Sequence, residues 1–111
     1  MVRLRPSRAE LAGALAGAGA LGLAYAAGRR LGLTRTDLAR TLAPGNPSAG
    51  RAAQLAIGTL AALPAARAST PTRALAYGAA VGALASQEAR GFSAGAHALA
   101  ALVAQRVAAR G

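Results

Sequence analysis

The sequence predicts an all-α protein in which four short helices pack through small residues into a transmembrane bundle. Three observations lead to this prediction. Hydrophobic residues make up 54% of the 111-residue chain, which is too apolar for a disordered protein. Aromatic residues make up only 3%, whereas glycine alone occurs 14 times, so close backbone packing must replace a core of bulky side chains. Polar connections separate four apolar segments, which we assign to a single domain, 1–111.

The first helix is predicted over about 9–28. Ser7 and Glu10 have the spacing of a capping box, in which the two side chains satisfy free amide groups at a helix start. The 18 residues of 11–28 carry no charge and reach the lower length for crossing a bilayer. Arg29 and Arg30 end this uncharged stretch. The first helix is therefore the best candidate for a membrane span.

Residues 29–50 are predicted to form the longest connection. Leu38 and Leu42 lie one helical turn apart, which is compatible with a short helix at the membrane interface. The sequence Pro-Gly-Asn-Pro at 44–47 favours a turn, because proline restricts the preceding residue and glycine permits positive φ.

Three further helices are predicted over about 51–66, 71–88 and 93–109. Thr70 and Pro71 suit a helix start, and Ser93 is a possible cap of the last helix. Gly91 is predicted to separate the third helix from the fourth. The apolar part of each segment has 14 or 15 residues, which is shorter than a full span. Length alone therefore supports membrane insertion only for the first helix.

The small residues recur on one face of each predicted helix. Such small-xxx-small stripes, or glycine zippers, suit helices that meet by close backbone contact while large side chains face lipid. In the first helix Leu11, Leu15 and Tyr25 lie on the opposite, lipid-facing side. The candidate packing residues are Gly13, Gly17, Gly58, Gly78, Gly82 and Ser86.

The sequence offers little material for catalysis. It has three acidic residues, one histidine and no cysteine, so no paired carboxylates, metal cluster or catalytic triad can be assembled from close neighbours. We therefore predict no enzyme activity, no cofactor and no metal. Polar side chains at membrane depth are functional candidates, and Gln54, Glu88 and His97 are the predicted polar interior, with a Glu88–His97 pair across Gly91.

The net charge of +10 predicts attraction to anionic groups. All 13 basic residues are arginines, and they lie between apolar segments and at the chain ends, where they suit anionic lipid headgroups. Nucleic acid binding is not favoured, because no helix face collects the arginines and few aromatics are present for base stacking. If all four helices span the membrane, six arginines fall on each side of it, so the arginine count does not determine the orientation.

Three alternatives to the membrane bundle stay open. An arginine-bearing start, an apolar core and Ala-Tyr-Ala at 24–26 also match a cleavable signal peptide, which would make the chain secreted. Alternatively, a small transporter or pore would use Gln54, Glu88 and His97 to line its path. A third alternative is a soluble basic helical protein that binds nucleic acid.

Stretches at 30–40, 54–58 and 73–78 read RLGLTRTDLAR, QLAIG and RALAYG. In this order, after a first helix rich in small residues, they resemble the small uncharacterised bacterial inner-membrane proteins of the YagU-like kind. The resemblance implies a multi-helix membrane protein without an assigned activity. The size is similar to that of small multidrug transporters, but Glu10 lies at the edge of the first helix rather than within it.

These observations together predict an integral protein of the bacterial inner membrane. We expect a structural or accessory component, or a subunit that self-associates or joins a larger membrane complex. Its expected partners are the lipid bilayer, anionic lipids and copies of itself.

Overall fold

The computed structural model describes residues 7–33, 43–85 and 90–110. These ranges contain four α-helices and no strand, which confirms the predicted all-α class and helix number. The helices are α1 (Arg8–Arg30), α2 (Pro47–Ala66), α3 (Pro71–Ala85) and α4 (Arg90–Arg110).

Both ends of α1 follow local capping chemistry. The Ser7 side chain accepts a hydrogen bond of 3.1 Å from the Glu10 amide, as the capping-box spacing indicates. The helix continues two residues beyond its predicted end at Gly28. Arg29 and Arg30 occupy its last turn, where positive charge is favourable beside the negative end of the helix dipole. Gly32, with φ of 75°, then turns the chain away.

The second helix begins at Pro47, four residues before the predicted start at 51. The Asn46 side chain accepts a hydrogen bond of 3.1 Å from the Ala49 amide, and Pro47 has the fixed φ that suits a first helical position. Gly45, with φ of 80°, supplies the predicted turn. The predicted connection 29–50 is therefore shorter at both ends, and its possible interfacial helix at 38–42 lies outside the described residues.

The last two helices also differ from their predicted bounds. Thr70 caps α3 by accepting a hydrogen bond of 3.2 Å from the Arg73 amide. The predicted end of α3 at 88 lies outside the described residues. The fourth helix begins at Arg90 rather than at Ser93, so the interpretation of Ser93 as a cap is wrong. Ser93 lies inside the helix and is fully buried, and its hydroxyl shares a hydrogen bond with the Tyr25 hydroxyl of α1 rather than with a free amide.

The helices run alternately up and down, so that α1 and α3 are antiparallel to α2 and α4. The fourth helix contacts each of the other three and packs along most of α1 and of α3. The second helix packs mainly on α1 and touches α3 only slightly. One end of the bundle thus collects the start of α1, the end of α4 and the α2–α3 connection.

The buried apolar residues of the described ranges are mostly small, and many of the large ones are exposed. Ten of the twelve buried hydrophobic residues in the described ranges are alanines, and the other two are Leu21 and Tyr25. By contrast, Leu84 is 85% exposed, Leu23 75% and Leu60 68%. Small residues therefore fill the interior, and leucines cover the outside.

Among the described residues one helix, α1, is long and apolar enough to cross a membrane, with a mean hydropathy of 1.5 over 18 residues. About two fifths of that window is buried inside the bundle. A core helix of a water-soluble protein and an N-terminal signal sequence have the same properties. Length and composition thus support one span rather than the four predicted.

Candidate functional site in the bundle interior

Glycines of α1 lie directly against the backbone of α4. A Cβ atom added to Gly17 would lie 2.7 Å from the carbonyl oxygen of Ala100, and one added to Gly13 would strike the carbonyl oxygen of Ala104. Real Cβ atoms do not approach backbone oxygens so closely. The absence of a side chain at these two positions therefore sets the distance between α1 and α4.

The contact between α3 and α4 is equally close. A Cβ atom at Gly78 would lie 2.7 Å from the Ala101 Cβ, and one at Gly82 would lie 2.7 Å from the Ala94 Cα. On the other side of the bundle, a Cβ at Gly58 of α2 would lie 3.1 Å from the Ala18 Cβ, a tight but smaller conflict.

The structure thus places the five described glycine candidates at helix–helix contacts. Ser86, the sixth candidate, lies outside the described residues. Gly28 makes a further close approach that the candidate set did not include: a Cβ there would lie 2.6 Å from Cε2 of Phe92.

Three polar side chains form a hydrogen-bonded chain inside the bundle. The Tyr25 hydroxyl and the Ser93 Oγ lie 3.1 Å apart and share one buried hydrogen bond between α1 and α4. Nδ1 of His97 lies 2.8 Å from the Ser93 carbonyl oxygen and 3.4 Å from the Ser93 Oγ. Because a carbonyl oxygen only accepts, Nδ1 of His97 carries a proton and donates it. In the neutral ring, Nε2 is then the hydrogen-bond acceptor.

Tyr25 corrects an expectation from the helical wheel, which placed it on the lipid-facing side of α1. It is buried, packs edge-to-face on Phe92 with ring centroids 5.3 Å apart, and reaches Ser93 with its hydroxyl. The signal for this role was its spacing: Tyr25 follows Leu21 by four residues and precedes Gly28 by three, and all three are buried. A tyrosine in an apolar stretch also needs a partner for its hydroxyl.

The structure does not bring the residues of the predicted polar interior together at one place. His97 lines a small cavity between the helices, whereas Gln54 is half-buried on α2 beside Gly22 of α1. Glu88 lies outside the described residues, so its pairing with His97 stays a prediction. The hydrogen bonds of His97 within the described residues go to Ser93 instead.

The cavity beside His97 has a volume of about 20 Å³ and is lined mostly by alanine, glycine and other apolar groups from all four helices. This volume holds about one water molecule. A void of this size supplies a position for a single bound water rather than a path for a solute, so the described part of the interior gives no support to the transporter alternative.

A second group of polar side chains lies at the end of the bundle where α1 begins. Nε of Arg67 donates a hydrogen bond of 2.5 Å to Oε2 of Glu10, joining the α2–α3 connection to α1. This hydrogen bond from Arg67 is the main reason why the pKa of Glu10 lies below its usual value of 4.5. Glu10 precedes the uncharged stretch 11–28 and thus lies at the end of the candidate span.

Beside this ion pair, Gln105 of α4 is almost completely buried, with 6% of its surface exposed. Its Nε2 donates a long hydrogen bond of 3.5 Å to the carbonyl oxygen of Ala68. Its Oε1 is buried without a hydrogen-bond partner. An unsatisfied buried oxygen costs about 1–3 kcal/mol. Gln105 was absent from the predicted polar interior, although a glutamine within the small-residue segment of the last helix was a signal for it.

No group of three potential metal-binding side chains lies together in the described ranges. No family model, curated protein or solved structure matches this chain. Functional inference therefore rests on the arrangement of its own residues.

Proposed function

We propose that this chain is a small membrane-integrated helical bundle that serves as a structural or accessory component of the bacterial inner membrane. The observation that carries the proposal is the inverted distribution of side chains. Alanine and glycine fill the interior, while leucines such as Leu23, Leu60 and Leu84 are mostly exposed.

The energetic consequences of this distribution differ between water and lipid. In water, folding gains about 25 cal/mol for each Å² of apolar surface buried, and a chain that buries alanines and exposes leucines forgoes most of that gain. In lipid the exposed leucines are already in a favourable solvent. Helix association then depends on close van der Waals packing, to which glycines at the contacts contribute most. The interfaces at Gly17 and Gly78 have this character.

Most arginines of the described residues agree with this arrangement. Arg8, Arg67 and Arg73 lie at one end of the bundle, and Arg29, Arg30 and Arg90 lie at the other. All of them are exposed. Guanidinium groups at both ends and leucines between them match a layer of hydrocarbon between two layers of headgroups.

Helix lengths set a limit on how the bundle would sit. At about 1.5 Å per residue, α2 and α4, of 20 and 21 residues, are each about 30 Å long, which is close to the hydrocarbon thickness. The described part of α3 has 15 residues and is about 8 Å shorter. Such a helix stays in a membrane through its contact with α4 and through local thinning of the bilayer.

The first experiment is alkaline carbonate extraction of membranes from cells that express the full chain, with reporter fusions at the C-terminus and within 29–51. We expect the chain to stay in the membrane pellet and the two fusions to report opposite sides of the membrane. Complete release of the chain by carbonate would overturn the proposal.

A matched pair of variants tests the exposed face itself. Ile57 lies at the middle of α2 and is 52% exposed, whereas Leu31 lies just beyond α1 at the end of the bundle and is 73% exposed. Ile57→Asp should cost about 2.5–3.5 kcal/mol of insertion free energy and release the chain from membranes. Leu31→Asp should have little effect. If both variants stayed fully in the membrane pellet, the α2 surface would not face lipid.

A further inference from the structure

Gln54 differs from the other polar side chains in the middle of the bundle, because its carboxamide has no partner. Thr59 on the same helix donates a hydrogen bond of 2.7 Å to the carbonyl oxygen of Leu55, and Tyr77 donates one of 2.6 Å to that of Ala61. No hydrogen bond joins the Gln54 carboxamide to another residue in the part of the chain that the structure describes. A group that can both donate and accept is therefore available for a partner outside the chain.

The Gln54 carboxamide is also accessible from outside the bundle. In the described ranges one side-chain polar atom is both enclosed and unpartnered, and it is Oε1 of Gln105. The unpartnered polar atoms of the half-buried Gln54 therefore reach the surface. Its Nε2 lies 3.9 Å from a Cβ built at Gly22 of α1, and a Cβ at Gly19, one turn away, would meet nothing within 4 Å. Glycines beside the amide allow another helix to approach closely.

The position of Gln54 along α2 places its amide far from water in the proposed membrane arrangement. It is the eighth residue of α2, which extends from Pro47 to Ala66. At about 1.5 Å per residue, it lies about 10 Å from the start of the helix and about 4 Å from its midpoint. This is inside a hydrocarbon layer about 30 Å thick, where no water replaces a missing hydrogen-bond partner. The carboxamide therefore needs a partner that is itself in the membrane.

A second copy of this chain has the required chemistry. The carboxamide carries N–H donors and a carbonyl acceptor, so it is complementary to itself. In a two-fold symmetric pair the same surface of both copies meets, and the two Gln54 side chains can each donate one hydrogen bond and accept one. No charged residue lies within 11–28 of α1 or 52–66 of α2, so nothing else on this surface selects a charged partner.

We propose that this chain self-associates through the surface formed by Gly19, Gly22 and Gln54, with the Gln54 carboxamides of two copies hydrogen-bonded to each other about a two-fold axis. Hydrogen bonds between polar side chains stabilise helix association in lipid. The inference rests on the proposed membrane location, because in water the solvent satisfies the same amide.

The test is Förster resonance energy transfer between copies of the full chain that carry a donor or an acceptor fluorophore at the C-terminus, reconstituted in phosphatidylcholine vesicles. The vesicles are first washed with alkaline carbonate, so that only chain held in the membrane is measured. We expect the wild-type chain to associate with increasing protein-to-lipid ratio. Gln54→Leu should raise the dissociation constant about tenfold, the effect of losing two hydrogen bonds between helices in lipid.

Two further variants show whether the carboxamide itself is responsible. Gln54→Asn keeps the carboxamide on a side chain one methylene shorter and should restore part of the association that Gln54→Leu loses. Thr59→Val is the matched control on the same helix: it removes a hydroxyl that already bonds to Leu55, so the dissociation constant should not change. Leucine is favourable in lipid, so Gln54→Leu should stay in the washed vesicles with its helix content unchanged by circular dichroism.

Mixed copies test whether the two glutamines bond to each other. With a wild-type donor and a Gln54→Leu acceptor, pairing of Gln54 with Gln54 loses both hydrogen bonds, so the mixed pair should associate as weakly as two variant copies. If each Gln54 instead bonded to a different group of the second copy, the mixed pair would keep one bond of two. A dissociation constant between the two extremes would therefore overturn the pairing.

The washed vesicles separate the failure of this proposal from the failure of the membrane assignment. A wild-type chain that stays in them as a monomer, or that associates equally well after Gln54→Leu, overturns the Gln54 pairing and leaves the membrane assignment intact. Release of the chain by carbonate overturns the membrane assignment, and the pairing that rests on it.

Discussion

Replacing Gly82 by alanine tests whether the close packing of α3 on α4 depends on a glycine at this position. The three nearest atoms that a new Cβ would meet at Gly82 belong to the backbone of α4, including the Ala94 Cα at 2.7 Å, so no side-chain rotation relieves the conflict. Ordinary contacts of this kind begin at about 3.4 Å, and α3 must therefore move away from α4. Overpacking of this kind costs about 1–3 kcal/mol, against which the better helix propensity of alanine returns about 0.5–1 kcal/mol.

The matched control is Gly95→Ala on α4, where a Cβ would meet nothing within 4 Å. The same substitution should stabilise there by about 0.5–1 kcal/mol. The two variants should thus differ by about 1–3 kcal/mol in the free energy of unfolding, measured by circular dichroism during denaturant titration in mild detergent. Equal unfolding free energies would refute the conclusion that Gly82 sets the α3–α4 distance.

Three further predictions concern the interior and the bundle end. Tyr25→Phe and Ser93→Ala should each lower the free energy of unfolding by about 1 kcal/mol. A double-mutant cycle should give a coupling energy near that value, and additive effects of the two substitutions would exclude their hydrogen bond. Gly58→Ala should cost less than Gly82→Ala in the same unfolding assay, because the Ala18 Cβ at 3.1 Å needs to shift by only a few tenths of an ångström. Since Arg67 lowers the pKa of Glu10 in the folded chain, their pairing should stabilise the fold above pH 4.5, and this stabilisation should be lost as the pH falls further. Glu10→Gln should therefore reduce the loss of stability at acid pH. The same pH dependence of the unfolding free energy in wild type and variant would contradict the prediction.

The sequence patterns predicted local features better than contacts between helices. Four helices, the Ser7 cap and the turn at Gly45 depend on spacing along the chain, which a sequence shows directly. The role of Tyr25 depends on which helix lies beside α1, and the wheel of one helix contains no such information. The burial of Gln105 similarly depends on the approach of the α2–α3 connection to α4.

The starts of α2 and α4 were missed for a different reason. Both starts were predicted where an apolar run begins, whereas the observed helices also include small and polar residues before that run. At Pro47 the signal was present in the sequence, because asparagine followed by proline combines a cap with a residue suited to the first turn. The boundary at Arg90 adjoins residues 86–89, which lie outside the described ranges.

The polarity of α4 explains why this long, central helix is not itself a candidate span. The fourth helix touches all of the others, yet it carries His97, Gln105 and Arg106, so it is too polar to satisfy the hydropathy criterion for insertion alone. Its partners compensate for this polarity: Tyr25 of α1 bonds the serine beside His97, and the Ala68 carbonyl after α2 accepts from Gln105. In a membrane these bonds form only after α1 and α2 are in place. We therefore expect α1 to insert first and α4 to enter by packing against it, with α3 held in turn by α4 through the contacts of Gly78.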